Sequence, residues 1–331
     1  MDTSKITSAS VVLCTYNGER YLPQLWRSLL AQTRLPEEIV VRDDASTDTT
    51  FALLGTLREE ARARGIQVTL ARNEHNLGFV GNFEAALADA GGEIVFLCDQ
   101  DDIWHPQKIA LMLAQCERRP DLLLLHSDAR LVDEAGGDMH CGLFEALEVT
   151  RRERRRVHRG HAFEALLRRN LATGATLAFR RSLLQAVTPF PPEWVHDEWL
   201  AIVAAALGNV DCLERPLIDY RQHGGNQIGA RKRSFSDKIA RIGQARLPFL
   251  QGLELRMGIL LRHFETQLAS RVPRRHVEAV RHKLEHLRAR LALPPSRLHR
   301  PLPILREIAT GRYSRYSTGP RAILLDLVNN E

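Results

Sequence analysis

The chain has 331 residues, of which 44% are hydrophobic and 26% are charged, a composition typical of a folded globular protein. This composition argues against a disordered or fibrous protein, and the length is sufficient for one large domain with a smaller extension. A formal net charge of +6 favours anionic partners such as diphosphates, anionic lipids or nucleic acid, without choosing among them.

Cysteine usage and the N-terminal residues indicate a reducing environment. The five cysteines are widely spaced and form no C-x-x-C pair, so neither a disulfide framework nor a zinc site is indicated. Residues 1–10 lack the apolar region of a signal peptide, and no apolar stretch is long enough to cross a bilayer. We therefore expect a cytoplasmic protein that at most rests on the inner face of the cell membrane.

The first part of the chain alternates short apolar runs with helical patterns. We predict strands at residues 9–14, 38–42, 67–71 and 93–98, and helices at residues 19–32, 49–64 and 80–90. Such alternation is typical of βαβ units that build a mostly parallel sheet. In open sheets of this kind ligands bind beyond the carboxyl ends of the strands, so the polar residues there form the candidate site.

Later elements are less regular. Further strands are predicted at residues 122–127 and 176–180, with an arginine run between them at residues 151–156. From about residue 235 the pattern changes to long basic helices, and an apolar segment follows near the end. We predict these helices at residues 236–270 and 273–293, with the apolar segment at residues 322–328. The sequence thus divides into an α/β domain, residues 1–234, and a mainly helical extension, residues 235–331.

Three carboxylates follow the fourth strand, in the sequence C-D-Q-D-D at residues 98–102. Clustered like charges repel one another and need a cation or several hydrogen-bond donors. A Mg²⁺ or Mn²⁺ ion, held by one or two carboxylates and completed by phosphate oxygens, fits this cluster. The alternative is an acidic turn that caps a helix beginning near residues 104–106.

Two other strand ends carry polar groups. The sequence D-D-A-S-T-D at residues 43–48 could accept the imide N–H of a uracil or thymine ring, but it is also typical of an Asx turn followed by a helix N-cap. The sequence T-Y-N-G-E at residues 15–19 offers hydroxyls, an aromatic ring and an amide.

Taken in order, four segments resemble the family-2 nucleotide-sugar glycosyltransferases: S-V-V-L-C-T-Y-N-G-E, V-V-R-D-D-A-S-T-D, A-R-N-E-H-N-L-G-F-V-G-N and F-L-C-D-Q-D-D-I-W. The resemblance covers about residues 8–230. It is closest to the rhamnosyltransferase-like branch that builds bacterial surface polysaccharides, through C-D-Q-D-D-I-W, T-G-A-T-L-A-F-R-R, H-D-E-W-L-A and Y-R-Q-H-G-G-N.

The resemblance implies a fold and an activity. The expected fold is the α/β GT-A fold with a mostly parallel central sheet, and residues 1–234 would be the catalytic domain. The expected reaction is an inverting transfer of a sugar from a nucleoside diphosphate donor, with dTDP-rhamnose as the first candidate. The acceptor would be a hydroxyl of a surface polysaccharide or lipid-linked glycan.

The resemblance also implies roles for individual residues. The nucleotide-sugar donor would be bound by Thr15, Tyr16, Asn17, Glu19, Asp43, Asp44, Arg72, Asn76, Gly78, Asn82, Asp99, Gln100, Thr173 and Gly174. A divalent cation, Mn²⁺ or Mg²⁺, would be held by Asp99, Asp101 and His223. Asp197 matches the catalytic base of the family, which removes the proton of the acceptor hydroxyl as the new bond forms.

The residues themselves leave simpler alternatives open. Asp197 could be a helix N-cap flanked by core tryptophans, His223 a solvent-facing loop histidine, and residues 173–174 a tight turn. The arginine run could grip a lipid-linked diphosphate or an anionic membrane, or it could be a solvated helix face. The C-terminal helices could contact a membrane, join two copies of the chain or cover the sheet.

Departures from the family pattern and two rival classes complete the sequence picture. Ala45 stands where glycine is usual, and Arg42 stands where an apolar residue is common. The Q-x-x-R-W motif of processive synthases is missing, which favours addition of one or a few sugars. A nucleotidyltransferase would need an N-terminal glycine-rich phosphate loop, which is not present. A nucleic-acid-binding module would need a basic and aromatic stripe, of which only the arginine run is a hint, so we expect no nucleic-acid partner.

Overall fold

The structure, a computed structural model, describes residues 7–224 and 247–328. Within these ranges the chain forms two compact units, residues 7–162 with 172–224 and residues 163–171 with 247–328. The predicted boundary near residue 235 and the predicted start of a helix at residue 236 lie outside the described residues.

The first unit begins with a series of βαβ units. Its strands are β1 Ala9–Thr15, β2 Glu38–Asp43, β3 Gln67–Arg72 and β4 Ile94–Asp99. The helices between them are α1 Leu22–Leu30, α2 Thr50–Arg62 and α3 Gly78–Leu87. The predicted strands and helices of this region are confirmed, because their ends differ from the predicted ones by at most three residues.

The part of the chain from residue 103 to residue 221 adds further strands and helices of varied length. Its strands are β5 Ile103–Trp104, β6 Leu122–Val132, β7 Asp138–Gly142, β8 Leu177–Arg180 and β9 Asn209–Arg221. The helices are α4 Lys108–Arg118, α5 Leu143–Ala146, α6 Arg151–His158, α7 Ala162–Arg168, α8 Leu184–Val187 and α9 His196–Leu207. Almost all of α7 belongs to the second unit.

The strands of the described ranges form one sheet in the order β3-β2-β1-β4-β8-β6-β9-β5, with β7 paired to β6. Strands β3, β2, β1 and β4 run parallel to one another, and β6 runs parallel to β9. Strand β8 runs antiparallel to both of its neighbours. The predicted α/β class is therefore confirmed, and the continuous parallel part of the sheet ends at β4.

The register of the parallel strands aligns their polar ends. Thr15 is level with Asp43, and Asp43 is level with Arg72. On the other side of β1, Cys14 is level with Asp99. Every residue of β1 is buried, as expected for a central parallel strand. The loops that leave β1, β2, β3 and β4 therefore begin side by side at one edge of an apolar sheet.

The helix considered near residues 104–106 begins two residues beyond that range. Ile103 and Trp104 pair with β9 instead of opening a helix, and the Trp104 amide donates to Ser28 Oγ (3.0 Å). The helix that follows begins at Lys108, with Gln107 as its N-cap and no acidic residue in its first turn. Sheet pairing thus takes the backbone groups that the local Trp-His-Pro pattern had assigned to a helix.

The second unit is helical. Besides α7 it contains α10 Leu247–Thr266, α11 Arg274–Leu291, α12 Pro301–Ala309, α13 Arg312–Tyr316 and α14 Pro320–Val328. Its core includes the fully buried Phe264 and a stack of Phe163 on His276, whose ring centroids are 4.1 Å apart. The predicted helical C-terminal region is confirmed. In the described part of the chain, no helix is both long and apolar enough to pass through a bilayer.

Candidate active site

Asp43 organises the loop that follows β2. Its fully buried carboxylate accepts hydrogen bonds from Thr15 Oγ1 (3.0 Å), Ser46 N (3.0 Å) and Ser46 Oγ (2.6 Å). The Nε atom of Arg72 lies 3.4 Å from the same carboxylate. The Asx-type turn considered for this segment is therefore present, and Asp43 links the ends of three neighbouring strands.

Asp44 has a different set of partners. Its Oδ1 accepts from Asn73 Nδ2 (2.7 Å) and from Leu77 N (2.8 Å), which ties the loop after β3 to the loop after β2. Asn82 joins this group, because its Oδ1 accepts from Asn73 Nδ2 (2.9 Å) and its Nδ2 donates to Arg42 O (3.1 Å). Asp44 and Asn82 are both buried, so they lie beneath the loop surface and hold its shape.

The turn before α3 is shaped by Asn76 and Gly78. Gly78 has a φ of +74°, a conformation that glycine adopts without strain, and its N–H donates to Asn76 Oδ1 (2.9 Å). Arg72 lies at the neighbouring strand end, where its guanidinium donates to Ser46 O (2.5 Å). The Arg72 side chain remains 47% exposed, so it is available to a ligand at this edge.

The loop after β1 is fastened to the loop after β2. Asn17 has a φ of +49°, and its Oδ1 accepts from Thr47 N (2.9 Å). Glu19 Oε2 accepts from Thr49 N (2.9 Å). These bonds run between residues that are 30 apart in the sequence, and they make the two loops one connected unit.

Gln100 holds the main chain of the first loop from the side of the acidic motif. Its side-chain amide accepts from Tyr16 N and donates to Tyr16 O, each at 2.9 Å. Gly18 lies directly against it, because a Cβ at Gly18 would come within 2.1 Å of Gln100 Oε1. The Tyr16 ring is left 45% exposed and offers an aromatic face suited to stacking.

Asp101 and His223 meet although 122 residues separate them. The Nε2 atom of His223 lies 2.7 Å from Asp101 Oδ2, and each side chain is only 13% exposed. The alternative of a solvent-facing His223 is therefore wrong. Asp102 is buried and accepts from Arg221 N (3.1 Å), and α4 is capped by Gln107. The acidic motif thus does not serve as a helix cap.

Asp99 lies among other carboxylates. Burial, followed by the charges of Asp101 and Asp197, raises the pKa of Asp99 to about 7. Burial also raises the pKa of Asp102 well above its usual range. The charge of Asp197, in the first turn of α9, is thus one cause of the raised pKa of Asp99. Excess buried negative charge of this kind is relieved by a bound cation.

Lys108 is a buried cation beside this group, and the sequence analysis missed it. It is fully buried, and its Nζ donates to Ala175 O (2.7 Å) and lies 3.6 Å from the centroid of the Trp104 ring. Burial lowers the pKa of Lys108 to about 8, while the charges of Asp102 and Asp99 oppose that change. A lone lysine at a helix start gives no sequence signal, because such side chains are usually exposed.

Arg221 is a second residue that the sequence analysis missed. It is 2% exposed, and its guanidinium donates to Asp101 O (2.9 Å), Glu134 O (2.9 Å) and Gln24 Oε1 (2.8 Å). Arg221 therefore fixes the backbone of the acidic motif. A sequence signal existed, because Arg221 stands two residues before the predicted ligand His223 in the segment Y-R-Q-H-G-G-N.

Asp197 lies in the first turn of α9, whose N-cap is Val195, so the N-cap alternative is wrong. Its Oδ2 accepts from Gly174 N (2.8 Å), and its Oδ1 accepts from Glu198 N (2.7 Å). Burial raises the pKa of Asp197 to about 6. The structure thus brings Gly174 to Asp197, and Thr173 precedes a short 3₁₀ turn, so the tight turn considered there is also present.

His196 packs tightly beside Asp197. Its ring stacks on Phe83 with centroids 4.3 Å apart, and a Cβ at Gly174 would lie 3.2 Å from its Nε2. Neither ring nitrogen has a hydrogen-bond partner within the described ranges. Burial lowers the pKa of His196 to about 3, so the ring is neutral at physiological pH.

The arginine run forms helix α6. Thr150 and Glu153 make a reciprocal capping box at its start. Arg154 forms an ion pair with Glu214 (3.1 Å), and Val157 is buried. The remaining arginines lie on a helix side that is exposed or partly exposed, which fits the solvated-face alternative. A grip on a lipid-linked diphosphate stays a prediction.

Solved structures with the same fold define the class of the protein. TarS 1-349 from S. aureus in complex with UDP-GlcNAc matches with a TM-score of 0.56 and 18% identity, over 85% of this chain and 72% of that one. The mannosyltransferase PcManGT from Pyrobaculum calidifontis in complex with GDP-Man and Mn²⁺ matches with a TM-score of 0.50 and 18% identity, over 97% and 79%. At such identities the likeness concerns the fold, and the expected GT-A fold is confirmed.

The sequence narrows this class to one family. The family model of glycosyl transferase family 2 matches residues 10–187, and the chain belongs to that family. An uncharacterised glycosyltransferase of Nostoc sp. is 30% identical over 229 residues, which are 66% of this chain and 65% of the relative. An uncharacterised protein of Mycobacterium tuberculosis is 28% identical over 218 residues, 65% of this chain and 58% of the relative. The matched part thus spans less than two thirds of each relative. The narrower likeness to the rhamnosyltransferase-like branch stays a prediction.

Proposed function

We propose that this protein transfers a sugar from a nucleoside diphosphate donor to a hydroxyl group of a glycan, with inversion at the anomeric carbon. The observation that carries the proposal is the contact of Asp101 with His223, in the same motif as the partly buried Asp99, whose pKa is raised by desolvation and by the charges of Asp101 and Asp197. Acidic side chains from separate loops that share one space are the expected surroundings of a cation and a diphosphate. Membership of glycosyl transferase family 2 supports the same reaction class.

Asp99, Asp101 and His223 are the proposed holders of a divalent cation. Their chemistry fits, because carboxylates suit both Mn²⁺ and Mg²⁺ and an imidazole suits Mn²⁺. Asp101 Oδ2 and His223 Nε2 lie 2.7 Å apart, so one oxygen and one nitrogen of suitable type are close together. When bound, the cation would offset the charge that develops on the departing nucleoside diphosphate.

Asp197 is the proposed general base. The N–H groups of Gly174 and Glu198 fix the orientation of its carboxylate. A pKa of about 6 leaves Asp197 ionised at neutral pH and still basic enough to take a proton from an acceptor hydroxyl. A single displacement with one base needs no covalent nucleophile. Burial raises the pKa of the neighbouring Cys98 thiol well above its usual value, which makes that side chain unreactive.

The donor-binding residues are proposed to divide into contacts and supports. The exposed Tyr16 ring and the half-exposed Arg72 are the proposed contacts to the base and the diphosphate. Thr173 and Gly174, beside Asp197, are the proposed neighbours of the transferred sugar. The supports hold the loops through hydrogen bonds or backbone shape, and they are Thr15, Asn17, Glu19, Asp43, Asp44, Asn76, Gly78, Asn82 and Gln100.

The identity of the substrates is proposed from the motifs at residues 98–104, 173–181, 196–201 and 220–226. Their likeness to the rhamnosyltransferase-like branch supports dTDP-rhamnose as donor and a surface-polysaccharide or lipid-linked glycan as acceptor. The proposed place of reaction is the cytoplasm. A role of the C-terminal helices in membrane contact or in self-association stays a prediction.

A donor panel tests the function. Release of nucleoside diphosphate is measured with dTDP-rhamnose, UDP-GlcNAc and GDP-mannose, each with Mn²⁺, with Mg²⁺ or with a chelator. We expect turnover with one donor, loss of turnover in the chelator and its return with metal. A nucleoside diphosphate at a hundred times its dissociation constant should also stabilise the fold by about 2.7 kcal/mol. The proposal would be refuted if no donor gave turnover and no donor gave metal-dependent stabilisation.

A further inference from the structure

The end of the second unit exposes apolar side chains instead of burying them. Leu298 is 89% exposed, Leu302 is 59% exposed and Leu305 is 60% exposed. Leu302 and Leu305 lie three residues apart on α12, a spacing that places them on one side of that helix, and Leu298 lies in the 3₁₀ turn just before it. Ile308, which is 38% exposed, lies three residues further along α12. These four residues are called the apolar stripe below.

The opposite side of α12 is already packed. Ile304 is buried in a small apolar cluster with Tyr313 and Ala322, and Glu307 is buried as well. A surface helix normally turns apolar side chains to the core and polar side chains to water. Because α12 carries apolar side chains on both sides, its outer side is suited to a second apolar environment.

The exposed charge around the apolar stripe is positive. In residues 297–328 both acidic side chains, Glu307 and Asp326, are buried. Four arginines of the same stretch are exposed and have no ion-pair partner among the residues that the structure describes: Arg297, Arg306, Arg315 and Arg321.

The two buried carboxylates contact other residues of the second unit. Asp326 Oδ2 accepts from Arg290 Nε (2.9 Å) and from Tyr313 OH (2.6 Å). Glu307 Oε1 lies 2.7 Å from His286 Nδ1. Both carboxylates therefore lie in the interior. The exposed arginines of residues 297–328 have no exposed acidic side chain within that stretch.

We propose that the apolar stripe, flanked by Arg297 and Arg306, docks on the surface of an anionic lipid bilayer. The leucines would enter the boundary between headgroups and acyl chains, while the long arginine side chains reach the lipid phosphates. A second copy of this chain fits less well as the occupant. A two-fold contact places the same patch against itself, and like charges brought together in this way weaken association.

Vesicle binding of the full chain tests the proposal. Co-sedimentation is measured with vesicles of pure phosphatidylcholine and with an equal mixture of phosphatidylcholine and phosphatidylglycerol. We expect binding to the mixed vesicles, weaker binding in high salt and little binding to the neutral ones. The double variant R297Q/R306Q should bind roughly 25-fold more weakly, about fivefold for each charge. The double variant L302S/L305S should bind at least about tenfold more weakly.

Matched controls lie on α10 of the same unit. Leu255 is 48% exposed and Arg262 is exposed, so L255S and R262Q remove one side chain of each kind away from the apolar stripe. Both controls should keep wild-type binding, and all variants should keep the wild-type melting temperature because the changed side chains are exposed.

Three results would overturn the proposal. One is absence of wild-type binding to the anionic vesicles, and another is wild-type binding by both double variants. The third is a wild-type dimer without lipid that L302S/L305S dissociates, which would make the apolar stripe a contact between copies. Because vesicle binding involves no transfer reaction, none of these results bears on the proposed enzymatic function.

Discussion

Replacing Asp197 with Asn tests two effects of the Asp197 carboxylate separately. One is the cost in folding free energy of burying its charge, and the other is its proposed role as the catalytic base. Burial raises the pKa of Asp197 from 3.8 to about 6, so the folded state disfavours the ionised carboxylate. At 1.36 kcal/mol per pKa unit, this difference corresponds to about 3 kcal/mol of folding free energy at high pH. A raised pKa in the folded state favours folding below about pH 4, and this contribution is lost as the pH rises through about 6. An uncharged Asn at this position avoids that loss.

The informative quantity is the change with pH in the unfolding free energy of D197N relative to wild type. Asn can keep only one of the hydrogen bonds from Gly174 N and Glu198 N, and the lost bond costs about 1 to 3 kcal/mol at every pH. The unfolding free energy of D197N relative to wild type should therefore rise by about 2 kcal/mol between about pH 4 and pH 7.5. Transfer by D197N should fall at least about a hundredfold, and wild-type transfer should increase as the pH rises through about 6.

The assay combines urea unfolding, followed by circular dichroism at several pH values, with donor turnover. E198Q is the matched control, because it changes the neighbouring carboxylate and leaves the Asp197 carboxylate in place. It should show neither the pH-dependent gain in relative stability nor the loss of transfer. A stability difference between D197N and wild type that does not vary with pH would refute the electrostatic reasoning. Retained transfer would exclude Asp197 as the base.

Four further variants test other parts of the site. D101N and H223Q should each raise the Mn²⁺ concentration needed for half-maximal activity at least about tenfold, because each removes a proposed ligand. A metal titration checks this, and an unchanged requirement would contradict it. Ala45→Gly should raise the free energy of unfolding by about 1 kcal/mol, because Ala45 has a φ of +60° that glycine adopts without strain. Urea unfolding measures the change, and a less stable variant would count against strain at this position. Arg221→Lys should lower the free energy of unfolding by about 2 to 4 kcal/mol, because an ammonium group cannot reproduce the three bonds of the guanidinium. The same unfolding assay would show an unchanged value if those bonds were dispensable.

The regular part of the fold could be predicted because local pattern and tertiary role agree there. Strands β1 to β4 are apolar runs of strand length, and the helices between them have helical periodicity, so each segment has one plausible structure. Strand β6 shows where this agreement ends. The prediction ended this strand at residue 127, but the strand continues to Val132. The reason is its pairing with β9, which includes His126, Asp128 and Arg130. Pairing with a distant strand overrides the polar local composition.

The candidate site divides in a similar way. Its acidic residues could be found from strand-end motifs, because the position of a motif after a strand fixes the edge of the sheet where it lies. Which side chains support the loops and which remain accessible could not be predicted. Asp44 and Tyr16 occur in equally polar motifs, yet one is buried and the other is 45% exposed. Lys108 and His196 depend on burial by segments that are distant in the sequence, and no local pattern reports that burial.

The hydrogen bonds that Thr47 N donates to Asn17 Oδ1 and that Thr49 N donates to Glu19 Oε2 constrain how the proposed donor preference can be changed. A chimera that imports only the loop after β1 would lose both side-chain acceptors, and one that imports only the loop after β2 would have to present its backbone N–H groups at the same two places. The two loops therefore form one transplantable module. Directed evolution of the proposed donor pocket should vary them in the same library, since an improvement in one loop will need a compensating change in the other.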